Sequence, residues 1–329
     1  MSTLYIRFVA RGSPPLQRSP LVERLMARAS SSAQVLDWRA DAVELAGPPG
    51  IRMPPVATMV WRASAAGTVD TTGAALTAMA STVAGAWVCV ATPVHLSAGM
   101  THVTFPVEGM LLLEGAEASA LAADFNRVFA GGGVRMAVGS TGALVCVFDD
   151  ALQVVTHDPE TVVGRDVFDF QPSGGDAPRL RRLGSEIEMW LFDHAVNRQR
   201  ALRGLPAITG LWFWGGGAAR AEIPTLPLWA AGRDVFFAGL GDATEWPRQS
   251  GSGVVVVDDY PGSATWPEVE RRWLQPALAE LRAGRFKEIH ASAGQRRFTM
   301  TRGLSLRFWQ RARPWWDYFD TRDGERDGG

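Results

Sequence analysis

The sequence predicts an α/β fold built on a mixed, largely parallel sheet flanked by helices. Three short apolar runs, 87–91, 208–214 and 254–257, are typical of strands that are buried on both faces. Between such runs lie segments in which apolar residues recur at three- and four-residue steps, as on one face of a helix. This alternation of strands and helices places the chain in the α/β class. With 329 residues, the chain is long enough for two ordinary domains.

In the N-terminal half, each predicted element is marked by its own local signal. A short apolar run at 5–10 is broken by Gly12, and a helical pattern follows at 21–26. The stretch 41–56, which contains several prolines, is expected to be irregular, and the Ala/Thr-rich stretch 70–84 to be helical. The later elements are the strand 87–91, short strands at 103–105 and 110–113, a helix at 114–130 that stops at three glycines, and strands at 134–138 and 143–148.

A break in composition separates the two halves of the chain. The stretch QPSGGDAP at 171–178 predicts an N-terminal subdomain 1–175 and a C-terminal subdomain 176–319, followed by a disordered tail at 320–329. In the C-terminal part, 179–203 is the longest helical pattern, and Gly204 is a natural stop for it. The later elements are the strands 208–214 and 254–257, a helix that opens with a capping box at 265–268 and runs to 282, and a strand pair at 288–292 and 297–301.

Composition excludes several classes of function. A net charge of −1 predicts no general attraction to nucleic acid or to an anionic membrane. The N-terminus lacks the pattern of a signal peptide, and no window reaches the ~18 uninterrupted apolar residues of a membrane span. We therefore expect a cytoplasmic protein without nucleic-acid or membrane partners. Cys89 and Cys146 lie in apolar runs, which favours buried free thiols over a disulfide or a reactive pair.

The segment HAVNRQRALRGLPAITGLWFWGGG at 194–217 resembles a signature of archaeal-type cofactor-independent phosphoglycerate mutases. The matching positions are His194, Asn197, Arg200, Gly204, Trp212, Trp214 and Gly215. Ala195 stands where that family has proline, and Thr209 where it usually has asparagine. The chain also resembles proteobacterial regulatory proteins of the RpfE type, in the segments 92–96, 183–194, 211–217 and 306–314. The resemblance implies an alkaline-phosphatase-like scaffold.

The family's metal centre is not recognisable in this sequence. Two-metal phosphoryl transfer needs several Asp and His ligands, and the mutases add a serine or threonine nucleophile. The first predicted strand ends at Ala10–Gly12 without a carboxylate, and none of the five histidines belongs to an Asp/His pair of the expected spacing. Asp258 and Asp259 follow a strand, where solvated loop acids are favoured over metal ligands. We expect no metal site and no cofactor; Mn or Mg belongs only to the alternative of an active enzyme.

The three glycines Gly215, Gly216 and Gly217 are the first candidate ligand site. They follow a predicted buried strand, where backbone N–H groups could cradle an anion with help from Arg200, or where a tight turn simply needs positive φ. Trp212 and Trp214 should share one face of that strand, as core residues or as an aromatic wall for a ligand.

Two histidines and three further polar residues complete the candidate site. Glu186, His194 and Asn197 should lie along one helix face, with His194 as a general base or as a hydrogen-bonded core residue. Arg200 has an alternative to anion binding, because its side chain could hold the Gly204 loop through hydrogen bonds to backbone carbonyls. His95 follows the strand 87–91, and if this strand neighbours 208–214, His95 and the glycines should share a crevice.

Three functions remain open from the sequence. The first is a cytoplasmic regulatory or metabolite-binding pseudoenzyme on a phosphomutase scaffold, which takes a small anionic metabolite. The second is an active metal-dependent phosphomutase or phosphatase with rearranged ligands. The third is a structural partner module or homo-oligomer that uses the aromatic C-terminal segment 308–319 as its interface.

Overall fold

The computed structural model divides the chain into two compact units. The first comprises Met1–Met53, Thr225–Asp234 and Leu240–Gly329, and the second comprises Pro54–Pro224 and Val235–Gly239. This division differs from the predicted boundary at 175/176, because segments far apart in the sequence pair within one sheet. The structure describes residues 2–10, 19–35, 37–50, 53, 56, 59, 86–139, 142–218, 226–232, 234–237, 251–259, 266–303 and 311–314.

Twelve strands and eight helices are defined in the described part of the chain. The strands are β1 (Ser2–Ala10), β2 (Ser30–Gln34), β3 (Trp87–Val94), β4 (Ser97–Ala98), β5 (Val103–Thr104), β6 (Val134–Val138), β7 (Leu144–Phe148), β8 (Gly210–Ala218), β9 (Trp229–Gly232), β10 (Gly253–Asp259), β11 (Phe286–Ala293) and β12 (Arg296–Thr301). The helices are α1 (Pro20–Arg28), α2 (Trp38–Ala46), α3 (Gly115–Phe129), α4 (Pro159–Val162), α5 (Ala177–Phe192), α6 (Ala195–Leu202), α7 (Trp266–Val269) and α8 (Gln275–Arg282).

The first unit contains the predicted mixed, largely parallel sheet. Its strand order is β2-β12-β11-β1-β10-β9. β1 runs parallel to both β10 and β11, and β9 runs parallel to β10, whereas β12 is antiparallel to its neighbours β11 and β2. The predicted strand pair near the C-terminus is therefore confirmed, and so is the α/β class.

Helices cover both faces of this sheet. Leu4 and Ile6 of β1 belong to one core cluster with residues of α1, α7 and α8. On the opposite face, Tyr5 donates a hydrogen bond to Asp41 of α2, and the Arg7 guanidinium lies over the Trp38 ring. This alternation along β1 is what a strand buried on both faces requires.

Helix α2 corrects the prediction that 41–56 is irregular. The Asp37 side chain accepts hydrogen bonds from the backbone of Arg39 and Ala40, so it caps the helix start. The prediction was wrong for 41–46, because the helix ends at Ala46, before the first proline of this stretch. The predicted helix 70–84 and the tail 320–329 lie outside the described residues, as does the threonine of the predicted capping box at 265.

The second unit holds an antiparallel sheet, which the sequence did not predict. Its order is β6-β7-β3-β8, and every pairing is antiparallel. Cys89 of β3 lies directly opposite Cys146 of β7, and both are fully buried free thiols, as predicted. Burial raises the pKa of both thiols, since the charged thiolate would lose its hydration.

Two helices pack on one face of the antiparallel sheet. Phe125 of α3 and Ile187 of α5 share a core cluster with Cys89, Cys146 and Phe213 of the strands. The predicted helix 114–130 is confirmed as α3, whose start carries a capping box formed by Glu114 and Glu117. The predicted short strand 110–113 is reduced to an isolated bridge between Met110 and Val94.

The long predicted helix 179–203 is two helices. α5 ends at Phe192 and α6 begins at Ala195, with His194 as the N-cap between them. The predicted stop is confirmed, because Gly204 adopts a φ of 66° just after α6. None of the helices in the described ranges is long and apolar enough to cross a membrane.

Candidate binding cleft in the second unit

A cleft of about 1010 Å³ opens in the second unit at the start of β8. It is bounded by the segment 96–103, which contains β4, by residues of the segment 156–172 around α4, by one face of α5 and by the first residues of β8. Its polar lining includes His102, His157, Asp166, Arg181 and Glu188. The site is therefore assembled from four separate chain segments.

Glu188 is the unusual polar group of this cleft. It projects from α5 toward β8, where a Cβ added at Gly210 would lie 3.6 Å from Glu188 Cγ. Within the described residues its carboxylate makes no hydrogen bond or ion pair. Glu188 keeps part of its surface exposed, but partial burial raises the pKa of its carboxyl. A carboxyl group that lines the cleft and has no partner among the described residues can form hydrogen bonds with a polar ligand.

Trp212 forms a fixed aromatic wall of the cleft. Its indole N–H donates to the backbone carbonyl of His157 over 2.7 Å. The Trp212 ring lies edge to face with Phe105, with 5.6 Å between ring centroids. Since its indole N–H is satisfied and its ring packs on Phe105, Trp212 offers a ligand an ordered apolar surface.

Further side chains around the cleft are held in defined positions. The guanidinium of Arg181 donates to the carbonyl of Pro172 over 2.9 Å. The His157 ring packs edge to face on Phe170 at 5.5 Å. One carboxylate oxygen of Asp166 accepts from the backbone N–H of Phe168 and so caps a 3₁₀ turn at Val167–Phe170. The cleft thus combines basic, acidic and aromatic groups.

Of the predicted site residues, Trp212 is the one that lines this cleft. Trp214 lies two residues further along β8, is buried, and donates from its indole N–H to Thr92 Oγ1 over 2.8 Å. Thr92 is the register partner of Trp212, so both tryptophans do share one face of the strand. The aromatic-wall interpretation applies to Trp212, whereas Trp214 is a packed residue.

The predicted glycine turn is wrong, because Gly215, Gly216 and Gly217 lie inside β8, which continues to Ala218. Gly215 has a φ of 63° at an irregularity in the β3–β8 register, which is typical of a β-bulge. A Cβ at Gly216 would fall 1.9 Å from the Trp87 ring. The glycines are therefore needed for backbone conformation and close packing.

His95 and the glycines do not share a crevice. β3 and β8 are neighbours, as the hypothesis required, but they run antiparallel, with Val94 opposite Gly210 and Trp87 opposite Ala218. His95 therefore lies beside the start of β8, at the far end from Gly215. Its Nδ1 lies 2.8 Å from the carbonyl oxygen of Ala207. The hypothesis assumed that the C-terminal ends of β3 and β8 lie at the same edge of the sheet, which holds only for parallel neighbours.

Asn197 joins the helix break to the segment before β8. Its side-chain amide donates to the carbonyls of Leu191 and Ile208, and its carbonyl oxygen accepts from the Ile208 N–H, each over 2.8 Å. Asn197 is buried, and all the bonds are to backbone groups. Its contacts identify Asn197 as a structural residue of the 194–217 motif.

Arg200 also holds this loop, as one sequence interpretation proposed. Its Nε donates to the carbonyl of Pro206 over 2.7 Å, and its Nη1 lies 3.0 Å from Glu117 of α3. Both partners of the ion pair are largely buried. Glu186, by contrast, pairs with Arg182 one turn earlier on α5 and does not line the cleft.

His194 caps α6 and lies outside the cleft lining. Its Nδ1 accepts the backbone N–H of Val196 over 3.2 Å, and its Nε2 lies 3.2 Å from a carboxylate oxygen of Asp124 without forming a hydrogen bond. Burial lowers the pKa of His194, and the charges of Arg198 and Arg127 lower it further. The neutral ring needed for capping is thus favoured over the protonated form.

We expect the substitution His194→Asn to remove a pH dependence of stability. Asn keeps a capping oxygen but does not titrate. Because the pKa of His194 is lowered by folding, its contribution is present above the unfolded value of ~6.5 and is lost as the pH falls through the folded value. Thermal unfolding from pH 8 to pH 5 should show wild type losing stability relative to H194N. A constant difference across this range would contradict the assignment.

The candidate site predicted from the sequence includes none of Arg181, His157 and Glu188. Arg181 and Glu188 lie seven residues apart on α5, a spacing that places them on one face of the helix, whereas His157 comes from a separate loop that no local spacing connects to them. No group of three or more His, Cys, Asp or Glu side chains that could hold a metal ion occurs among the described residues. Asp258 and Asp259 end β10, and their side chains are outside the described part.

No family model matches the chain. Over 115 residues, 35% of the chain, it is 32% identical to the 2,3-bisphosphoglycerate-independent phosphoglycerate mutase of Methanothrix thermoacetophila, and the match spans 27% of that protein.

Two solved structures align with most of the chain at low scores. The alignment with the cofactor-independent phosphoglycerate mutase from Thermoplasma acidophilum has a TM-score of 0.32 at 14% identity. It covers 95% of this chain and 93% of that protein's chain. A Pyrococcus horikoshii protein has a TM-score of 0.32 at 12% identity, with 91% and 86% covered. Scores of this size do not establish a common fold. The predicted resemblance to cofactor-independent phosphoglycerate mutases is thus supported by the sequence match.

Proposed function

We propose that the protein binds a small anionic metabolite in the cleft of the second unit. In this proposal it is a cytoplasmic, phosphoglycerate-mutase-like pseudoenzyme of the regulatory RpfE type, and binding needs no metal. The observation that carries the proposal is the cleft itself, whose lining includes the ordered Trp212 and Glu188, a carboxyl group with no partner among the described residues.

The size and lining of the cleft are those of a small-molecule site. Such sites typically measure ~300–1,000 Å³ and combine an apolar wall with a few placed polar groups. Here the volume is about 1010 Å³, and Trp212 and Leu211 lie beside Arg181 and Glu188. This composition supports ligand binding over a purely structural role.

Two polar groups on α5 suit a small anionic metabolite that also carries hydroxyl groups. Arg181 brings a permanent positive charge to the cleft. Glu188 offers carboxyl oxygens that can accept hydrogen bonds from hydroxyl groups of the same metabolite. Both groups extend from α5 at positions seven residues apart, which is two helical turns, so they lie on one face of the helix.

Isothermal titration calorimetry with and without manganese tests this proposal. The probes are 3-phosphoglycerate, other phosphorylated metabolites and mononucleotides. We expect binding that does not depend on manganese and no mutase turnover. Binding that needs manganese, together with interconversion of phosphoglycerates, would favour the active phosphomutase instead. Absence of binding by every probe would favour the partner-module alternative, whose aromatic segment 308–319 lies mostly outside the described residues.

The substitution Glu188→Gln should separate stability from ligand binding. Since folding raises the pKa of Glu188, the carboxyl favours the folded state at low pH, and this benefit is lost as the pH rises through the folded value. We expect E188Q to gain thermal stability over wild type as the pH increases from 4 to 8. It should also bind anions more tightly at pH 8, because the repelling charge is gone.

Glu186→Gln is the matched control for this prediction. Glu186 lies on the same helix, pairs with Arg182 and does not line the cleft. Its substitution removes an exposed ion pair, so E186Q should be slightly less stable than wild type at neutral pH and should bind the same anions unchanged. Equal behaviour of E186Q and E188Q would contradict the role given to Glu188.

A further inference from the structure

We infer that the ligand of this cleft carries a planar aromatic ring as well as its anionic group, as a mononucleotide does. The inference rests on the proposed function, because it concerns the same cleft. It narrows the ligand from small anions in general to those with a base-sized ring.

The volume of the cleft is the first observation. Sites of ~300–1,000 Å³ hold ligands of drug or nucleotide size, and this cleft measures about 1010 Å³. A three-carbon phosphoacid would fill a small part of it and would leave the aromatic wall uncovered. A mononucleotide could contact both the aromatic and the basic groups at once.

The aromatic lining is the second observation. Phe168 lies in the cleft lining with 79% of its surface exposed, and Met100 of the segment 96–103, which also lines the cleft, is fully exposed. Trp212, Phe170 and the ring of His157 add further flat surface to the same lining. Large apolar side chains left in water at one site indicate a binding surface, and aromatic faces are the usual partners of nucleobases.

The polar groups fit the remaining parts of a nucleotide. Glu188 and Asp166 provide oxygens that can accept hydrogen bonds from ribose hydroxyls or a base amino group. Arg181 provides guanidinium donors for a phosphate. An anion without hydroxyl or amino groups would use Arg181 but would have no hydrogen-bond donor for the two carboxyl groups.

Calorimetric titration with AMP, CMP, adenosine, ribose 5-phosphate and 3-phosphoglycerate tests this inference. We expect the two nucleotides to bind more tightly than either sugar-like phosphate. Phe168→Ala should weaken nucleotide binding about tenfold, as the loss of one stacking contact implies, and should leave 3-phosphoglycerate unaffected. Arg181→Gln should weaken AMP but not adenosine.

Phe192→Ala is the matched control, because Phe192 is 90% exposed in the same unit but does not line the cleft. F192A should bind AMP as wild type does. If 3-phosphoglycerate and ribose 5-phosphate bind as tightly as AMP, or if F168A changes nothing, the aromatic ligand is refuted while the proposed function stands. If none of the five compounds binds, both are refuted.

Discussion

Gly216→Ala should destabilise the second unit by about 3 kcal/mol. The new methyl group would lie 1.9 Å from Cζ2 of Trp87, far inside van der Waals contact. Trp87 is buried and its ring packs edge to face on Phe148 at 5.4 Å, so it has little room to move. The clash therefore has to be relieved by moving β8 away from β3 or by displacing core side chains.

Urea denaturation measures this effect, with Gly132→Ala as the control. Nothing lies within 4 Å of a Cβ added at Gly132, and its φ is not in the positive range. G132A should leave the urea midpoint nearly unchanged, whereas G216A should lower it clearly. A small, equal effect of both substitutions would mean that Gly216 is not held against Trp87, and the glycines could then be reconsidered as a ligand loop.

Asn197→Ala is the second substitution with a large expected effect. It removes three hydrogen bonds and leaves the carbonyl and the N–H of Ile208 buried without this partner, whereas the Leu191 carbonyl still accepts the His194 N–H. Losses of this kind cost about 1–3 kcal/mol per unsatisfied group and are not additive, so we expect about 3 kcal/mol in total. The effect should appear as a lower melting temperature and urea midpoint.

Gln199→Ala is the matched control, because Gln199 is exposed on the same helix and makes no contact of this kind. Its effect should be within ~0.5 kcal/mol of zero. The folded fraction of N197A should bind anions with wild-type affinity, since Asn197 does not line the cleft. If N197A keeps its stability but loses anion binding, the structural role given to Asn197 is wrong and the 194–217 motif belongs to the ligand site.

Local apolar patterns predicted most strands and helices, because a strand buried on both faces is a continuous apolar run and a helix has apolar residues at three- and four-residue steps. The runs at 87–91 and 254–257 became β3 and β10, and the helix at 114–130 became α3. The direction of a strand relative to its neighbours is not encoded in such a pattern. Whether β3 and β8 run parallel or antiparallel depends on the connections between them, and that choice decided where His95 lies relative to Gly215.

The binding cleft was harder to predict because its residues are scattered. His157, Arg181 and Trp212 come from a loop, a helix and a strand, and only folding brings them to one surface. The motif at 194–217 was predicted as a ligand site because its spacing matches a family signature. That regularity reflects backbone hydrogen bonds of Asn197 and Arg200, which require fixed positions as strictly as a ligand does.

Hydrogen–deuterium exchange of the intact protein with and without AMP tests the central claim, that the ligand site is the cleft of the second unit. We expect slower exchange in 96–103, 156–172, 181–188 and 209–213 when AMP is bound, and no change in 215–217 or 254–259. Protection confined to 215–217 or 254–259 would contradict the claim. Unchanged exchange everywhere at saturating AMP would contradict it equally.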